Sequence, residues 1–253
     1  MEIIFLGTGT SQGVPMIGCD CAVCKSADYH DKRLRSSILV KTGSFDFIID
    51  TGPDFRTQMI RENISRLDAV LITHPHRDHL SGLDDIRAFN YSTKSSMPVY
   101  GNQNTLNHIL REFDYAFRLP KYPGVPDMDL KLIDDTPFIL GDTKIIPINV
   151  WHYKMPVTAF RIGDLAYITD ASSIDEDQKV KLFGVKTLVV NALRKEPHIS
   201  HFSLSQAIDL SRQVGAKETF ITHIGHRMGC YQDLAKELPS GIFQAYDGLK
   251  LSV

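Results

Sequence analysis

The sequence predicts an α/β chain in which β-sheets pack face to face with helices on their outer sides. Three observations carry that expectation. Short runs rich in β-branched and aromatic residues recur along the whole chain. Segments of helical period lie between some of them. Several strands follow one another directly while helices cluster elsewhere, which favours one layered domain over residues 1–253. At 253 residues the chain is long enough for a sizeable core.

The elements read in order as follows. Ile3–Leu6, Ser37–Val40 and Phe45–Ile49 are strands. Pro53–Arg61 follows a glycine and carries Phe55, Met59 and Ile60 at helical spacing. Strand Ala69–Ile72 leads to a helical stretch near Leu80–Phe89, then strand Pro98–Tyr100 and helix Thr105–Phe113. Asp114–Pro137 resists a core assignment, because Pro120, Pro123, Pro126 and Pro137 interrupt it. With Tyr115, Phe117, Arg118, Lys121 and Tyr122 it fits either a lid or substrate wall, or a solvated connector. Strands Lys144–Ile148, Ala159–Ile162 and Leu165–Ile168 precede a helical stretch Asp175–Leu182 and strand Thr187–Val190. Leu204, Ala207, Ile208 and Leu210 form a helical stripe after Ser203, an N-cap residue type. Thr219–Ile221 and Leu249–Val253 complete the strands.

Composition removes several function classes. Lys+Arg number 28 against 30 Asp+Glu, a net charge of −2, so no basic footprint points to nucleic acid or an anionic membrane. No apolar run reaches the roughly 18–20 residues that span a bilayer. Met1–Gly7 is too short for a signal core and its first charge is the acidic Glu2. A soluble, cytoplasmic protein is expected. The conspicuous number is ten histidines.

Four of the residues that matter stand together in Thr73-His74-Pro75-His76-Arg77-Asp78-His79, after a strand and before a helical stretch. His74 and His76, two apart in extended chain, point the same way, and Asp78 and His79 fall in the first helical turn. Imidazole and carboxylate suit Zn, Mn or Fe, and this cluster exceeds what one ion uses. Further donors are expected at strand ends downstream. His152, Asp170 and His223 each follow a β-rich run.

The cysteines make a second cluster. Cys19-Asp20-Cys21-Ala22-Val23-Cys24 places three thiols within six residues. In a reducing compartment this spacing reads as three thiolate ligands to one tetrahedral zinc. The fourth donor is open between His226 and Cys230.

His74-x-His76-x-Asp78-His79, followed by His152, Asp170 and His223 in that order, resembles the metallo-β-lactamase superfamily. The resemblance runs from the Gly7-Thr8-Gly9-Thr10 turn to the last strand. It implies an αββα four-layer sandwich with two divalent ions, Zn or Mn, between the sheets. By that resemblance His74, His76 and His152 hold one ion, Asp78, His79 and His223 the other, and Asp170 bridges them. Asp50 corresponds to the carboxylate that orients a ligand histidine. The bridging Asp is similar to that of the hydrolase branches, the phosphodiesterases in particular.

With the cysteine cluster added, the chain resembles the PhnP-type cyclic-phosphate phosphodiesterases. That resemblance makes His226 the fourth ligand of a structural Cys3His zinc with Cys19, Cys21 and Cys24. It also gives His201, before a helix, the role of binding phosphate or protonating the leaving oxygen. His30, His108 and His198 match nothing and are expected on the surface. The family resemblance implies a homodimer.

The expected activity is metal-dependent hydrolysis of a phosphodiester in a small phosphate ester, cyclic ones included. Two ions about 3.5–4 Å apart would yield a bridging hydroxide at neutral pH and offset developing charge. Asp78 or Asp170 would orient that hydroxide, and a protonated His201 would serve the leaving group. Three rivals stand beside this reading: a nuclease of the tRNA 3′-processing type, a thioester or lactone hydrolase, and a non-catalytic carrier like PqqB. Nucleic acid is the less favoured partner on charge grounds.

Overall fold

The computed structural model describes residues Met1–Val253. Fourteen strands form two sheets of seven. The first contains β1 (Glu2–Gly7), β2 (Ser37–Lys41), β3 (Asp46–Ile49), β4 (Ala69–Leu71), β5 (Met97–Gly101), β6 (Met128–Leu132) and β14 (Lys250–Ser252). Its order is β14-β1-β2-β3-β4-β5-β6, with β3 through β6 parallel. The second contains β7 (Phe138–Leu140), β8 (Thr143–His152), β9 (Met155–Ile162), β10 (Leu165–Ile168), β11 (Thr187–Asn191), β12 (Glu218–Thr222) and β13 (Ile242–Gln244). Its order is β13-β12-β11-β10-β9-β8-β7, with β10 through β13 parallel.

The period-2 alternation of strand side chains explains why the sheets stack. Ile3, Phe5, Phe47, Ile49, Ala69 and Leu71 face inward and meet Phe160, Ile162, Leu165, Tyr167 and Val189 of the other sheet. The alternate residues Ile4, Leu6, Ile48, Val70 and Val99 face outward and are covered by α2 (Phe55–Arg61), α4 (Arg87–Thr93) and α5 (Gln103–Glu112). On the second sheet Ala166, Ile168, Leu188, Val190 and Ile221 are covered by α7 (Leu204–Val214) and α8 (Tyr231–Glu237). Both faces of both sheets are thus apolar, and the result is the αββα four-layer sandwich. Truncating a fully buried aromatic such as Phe47 to Ala is expected to cost about 3–5 kcal/mol. No helix is long and apolar enough to cross a membrane.

Three shorter helices complete the set: α1 (Ala22–Lys25), α3 (Arg77–Leu80) and α6 (Glu176–Lys179). The helix expected over Leu80–Phe89 is broken, with a 3-10 turn at Leu83–Ile86 between α3 and α4. The break lies where two chain segments cross. A Cβ on Gly82 would stand 2.1 Å from the Gly52 carbonyl oxygen, and one on Gly52 would stand 2.1 Å from that of Asp78.

The Pro-rich stretch Asp114–Pro137 also departs from expectation, since it is not one loop. Asp114–Ala116 is a 3-10 turn with Ala116 buried, and Met128–Leu132 is the edge strand β6. Three of the four prolines precede β6, so its ladder loses no N–H. What remains of the candidate lid is the segment 117–127, tied to α4. Asn90 donates to the Asp127 carbonyl at 3.0 Å and accepts from its N–H at 2.9 Å.

Candidate metal centre and active site

The parallel strands end on a shared rim, where such sheets usually bind ligands. Asp50 follows β3, Thr73 and His74 follow β4, His152 ends β8, Asp170 follows β10 and His223 follows β12. Asp50, Asp170 and His223 have φ of 68°, 56° and 55°. This left-handed region favours Asp, Asn and His among non-glycine residues, and costs about 1–3 kcal/mol each. Three such residues on one rim place the strain where the side chains converge.

The structure brings the seven predicted ligand residues together. The His74 ring lies 4.7 Å from that of His76 and 5.8 Å from that of His152. His76 and His152 are 5.0 Å apart, edge to face. Beside them Asp78, His79, Asp170 and His223 form a tight buried group. His79 Nε2 is 3.1 Å from Asp78 and 3.0 Å from Asp170, and His223 Nδ1 is 3.2 Å from Asp170. Asp170 therefore stands at the middle of the arrangement.

Hydrogen bonds on the far sides of the rings set which nitrogen faces inward. His79 Nδ1–H donates to Asp50 Oδ2 at 2.7 Å. Thr73 Oγ1 bonds the Asp50 carboxylate at 2.9 and 3.0 Å and lies 2.9 Å from His74 Nδ1. His152 Nδ1–H donates to the Ser200 carbonyl at 2.7 Å. His223 Nε2 lies 3.3 Å from Thr10 Oγ1. Sequence reasoning missed Thr73, Ser200 and Thr10, because a hydroxyl or carbonyl of this kind carries no motif.

The inward nitrogens stand against the carboxylates without forming hydrogen bonds. His74 Nε2, His79 Nε2, His201 Nδ1 and His223 Nδ1 are enclosed and make no hydrogen bond. An unsatisfied buried polar atom costs about 1–3 kcal/mol, so four around two carboxylates mark a donor set for cations. Electrostatics agree. Burial opposes charge on His79, yet Asp170, Asp78 and Asp50 hold its pKa well above the usual value. Burial likewise opposes ionisation of Asp170, yet His223 and His79 hold it well below the carboxylate range. The pocket thus calls for positive charge, and the residues fit a pair of divalent ions.

His201 is buried against the same group, its ring 5.0 Å from His223 and 4.6 Å from His152. Ser203 caps α7 with a capping box to Gln206, and Phe202 N–H donates to the Ala171 carbonyl at 2.7 Å, which fixes His201 beside Asp170. Its surroundings favour the phosphate-contact role over that of a protonated acid. Burial pushes the His201 pKa down to about 3, only partly opposed by Asp170, so the ring is neutral near pH 7. His30, His108 and His198, expected on the surface, are all half-buried, and the His198 ring lies 5.3 Å from that of His201. His30 is stacked between Tyr29 and Tyr231. His108 bonds the Asn104 carbonyl within α5.

The thiols gather as a separate cluster. His226 Nδ1 is 3.2 Å from Cys19 Sγ, 3.4 Å from Cys21 Sγ and 3.6 Å from Cys24 Sγ. Bond lengths near 2.3 Å for zinc–sulfur and 2.0–2.1 Å for zinc–nitrogen give donor separations of about this size in a tetrahedron. Cys230 packs against the cluster but lies outside the donor group. The Cys24 N–H and His226 lower the Cys21 thiol to about 6, while burial pushes Cys24 up to about 11. A cation among them would hold all three as thiolates.

A sequence profile of the β-lactamase superfamily domain matches residues 46–224. The chain belongs to the metallo-β-lactamase superfamily. Among members of this superfamily, a crystallised diphosphatase of the PhnP family is 38% identical, with a TM-score of 0.93 over 99% of this chain and 96% of the other. An octanoyltransferase of Porphyromonas gingivalis is 40% identical over 253 residues, or 99% of this chain and 51% of that protein. The chain therefore spans about half the length of that relative. Coenzyme PQQ synthesis protein B of Methylorubrum extorquens is 34% identical over 215 residues, 75% of this chain and 72% of that protein. In sequence and fold the chain is similar to the PhnP-family diphosphatase.

Proposed function

We propose that the chain hydrolyses a phosphodiester or diphosphate bond in a small, phosphate-bearing substrate. The observation that carries this is the convergence of enclosed imidazole nitrogens that make no hydrogen bond on Asp170 and Asp78. The likeness to a PhnP-family diphosphatase favours phosphorus over carbon as the electrophile. His74, His76 and His152 would hold one divalent ion, and Asp78, His79 and His223 the other, with Asp170 between them. Such ions supply Lewis acidity and a water acidified enough to attack at neutral pH.

The protein's own groups do the rest. Asp50 fixes the ring of His79 and the backbone of Thr73, so the donors keep their positions before substrate arrives. Asp78 stays ionised, since its burial is outweighed by His79, and orients the attacking water by accepting a hydrogen bond from it. Neutral His201 donates an N–H to a phosphoryl or leaving oxygen. Cys19, Cys21, Cys24 and His226 would hold a structural zinc that pins the Thr10–Lys25 segment beside this site.

One other reading has an observation behind it. The 34% identity to coenzyme PQQ synthesis protein B fits a non-catalytic carrier. Acyl transfer, which the name of the P. gingivalis relative describes, is the activity of a protein about half of whose length this chain spans. A panel of cyclic nucleotides, linear phosphodiesters, dinucleoside diphosphates and thioesters, run on protein of measured metal content, separates these readings. Turnover confined to phosphorus esters is expected. Thioester turnover alone, or none with the metal sites full, would overturn the proposal.

A further inference from the structure

The Asp170 side chain is buried at the middle of the donor set, and its carboxylate accepts one hydrogen bond from the protein. The donor is Thr169 Oγ1–H, at 2.7 Å from Oδ2. That same oxygen lies 3.0 Å from His79 Nε2 and 3.2 Å from His223 Nδ1. The other oxygen, Oδ1, lies 3.6 Å from His201 Nδ1. The two oxygens are therefore sorted, Oδ2 toward His79 and His223, Oδ1 toward His201.

A bond between adjacent side chains needs an unusual backbone. Successive residues of a strand point to opposite faces, so an extended Asp170 would turn away from Thr169. The φ of 56° at Asp170 instead swings its side chain round to the hydroxyl. Asn191, at the end of β11, secures that turn from the neighbouring strand. Its Oδ1 accepts the Ala171 N–H at 2.8 Å and its Nδ2 donates to the Ala171 carbonyl at 3.0 Å. The pairing of β10 with β11 stops at Ile168 and Val190, so this amide supplies the backbone of Ala171 with partners the ladder no longer gives. Thr169 and Asn191 are both fully buried.

A carboxylate offers about four lone-pair sites, and its terminal torsion is broad and roughly two-fold. Burial by itself leaves that rotation open. We infer that Thr169 is a positioning residue, whose hydroxyl fixes the rotation of the Asp170 carboxylate so that each oxygen keeps to its own side of the centre. The inference rests on the metal-dependent hydrolase reading above and adds to it a residue that acts only through Asp170. Asn191 holds the turn independently of that hydroxyl. Removing the hydroxyl therefore frees the carboxylate without freeing the backbone.

T169V keeps the shape and removes the donor, whereas T169S keeps the donor and removes a methyl group. Each protein is loaded with Co²⁺ and challenged with a graded chromogenic chelator, and the visible spectrum of the bound ion is the second readout. Thiolate-bound cobalt is told apart by its charge-transfer absorption, and it should be the same in every variant. T169V is expected to hold the ions at the His/Asp rim about 10–100-fold more weakly and to shift their d–d bands, with T169S close to wild type in both. T169A should behave as T169V does, so the comparison survives if the valine variant fails to fold. Wild-type affinity and spectrum in T169V and T169A overturn the inference and leave the hydrolase reading standing. Impairment of T169S equal to that of T169V overturns it too, since packing and not the hydroxyl would then be responsible. Wild-type protein that takes up cobalt at the thiols alone would sink the metal-dependent reading, and the inference with it.

Discussion

Asp50 and His79 are joined by a 2.7 Å hydrogen bond with both side chains fully buried, and the other nitrogen of His79 lies 3.0 Å from Asp170. Asp50 also takes the N–H of Thr73 at 2.8 Å. One carboxylate thus sets both the helix that carries His79 and the strand end that carries His74. Asn tolerates the left-handed backbone at position 50, so D50N isolates the charge. D50N should fold and lose about 10–100-fold in active-site metal affinity, read by competition with a chromogenic chelator. D50A should in addition leave the Thr73 N–H unsatisfied, at about 1–3 kcal/mol in a denaturant melt. Wild-type metal affinity in D50N would contradict this role.

His201 gives a pH prediction. Its pKa is depressed by burial to about 3, so the ring is already neutral at pH 6 and loses no proton on the way to pH 9. Bound cations would depress it further. The ratio of wild-type to H201A kcat should therefore be flat between pH 6 and 9. H201A should lower kcat by about 100-fold on an alkyl leaving group and much less on nitrophenolate. A ratio that falls tenfold per unit above pH 7 would mean an imidazolium acid.

The thiol cluster separates His226 from Cys230. H226A and C24S should each lose one zinc per chain in elemental analysis, while C230S keeps it. If the metal supports the Thr10–Lys25 segment by about 2 kcal/mol, the loss lowers Tm by about 4–8 °C. Zinc loss in C230S with retention in H226A would exchange the two assignments.

Gly52 tests the rim's geometry through the backbone of Asp78. A Cβ there meets the Asp78 carbonyl oxygen at 2.1 Å, with backbone on both sides of the clash. G52A should cost about 1–3 kcal/mol and displace α3 with Asp78 and His79. Wild-type stability and metal affinity in G52A would show that the two segments separate freely.

Most of this architecture was legible in the sequence because the two strand faces are both apolar, as Ile3/Ile4 and Phe47/Ile48 show. The candidate ligands were legible because imidazole and thiol clusters are rare and His74, His152, Asp170 and His223 each follow a β-rich run. What stayed hidden is relational. Strands β6, β7 and β13 are short edge or near-edge segments whose pairing comes from their neighbours. Thr10, Thr73 and Ser200 act through one oxygen each, visible only when chain segments 48 to 213 residues apart meet, or when a neighbouring ring turns toward a hydroxyl.

In the proposed reaction the His and Asp side chains on this rim direct attack of water on phosphorus. Hydrolysis of bis(p-nitrophenyl) phosphate by metal-analysed protein in ¹⁸O-labelled water, read by mass spectrometry of the products, tests it most directly. The account predicts one ¹⁸O in the phosphoryl product, none in nitrophenol, and loss of the reaction in D170N. Label in nitrophenol, unchanged turnover in D170N, or no turnover with the metal sites filled would contradict it.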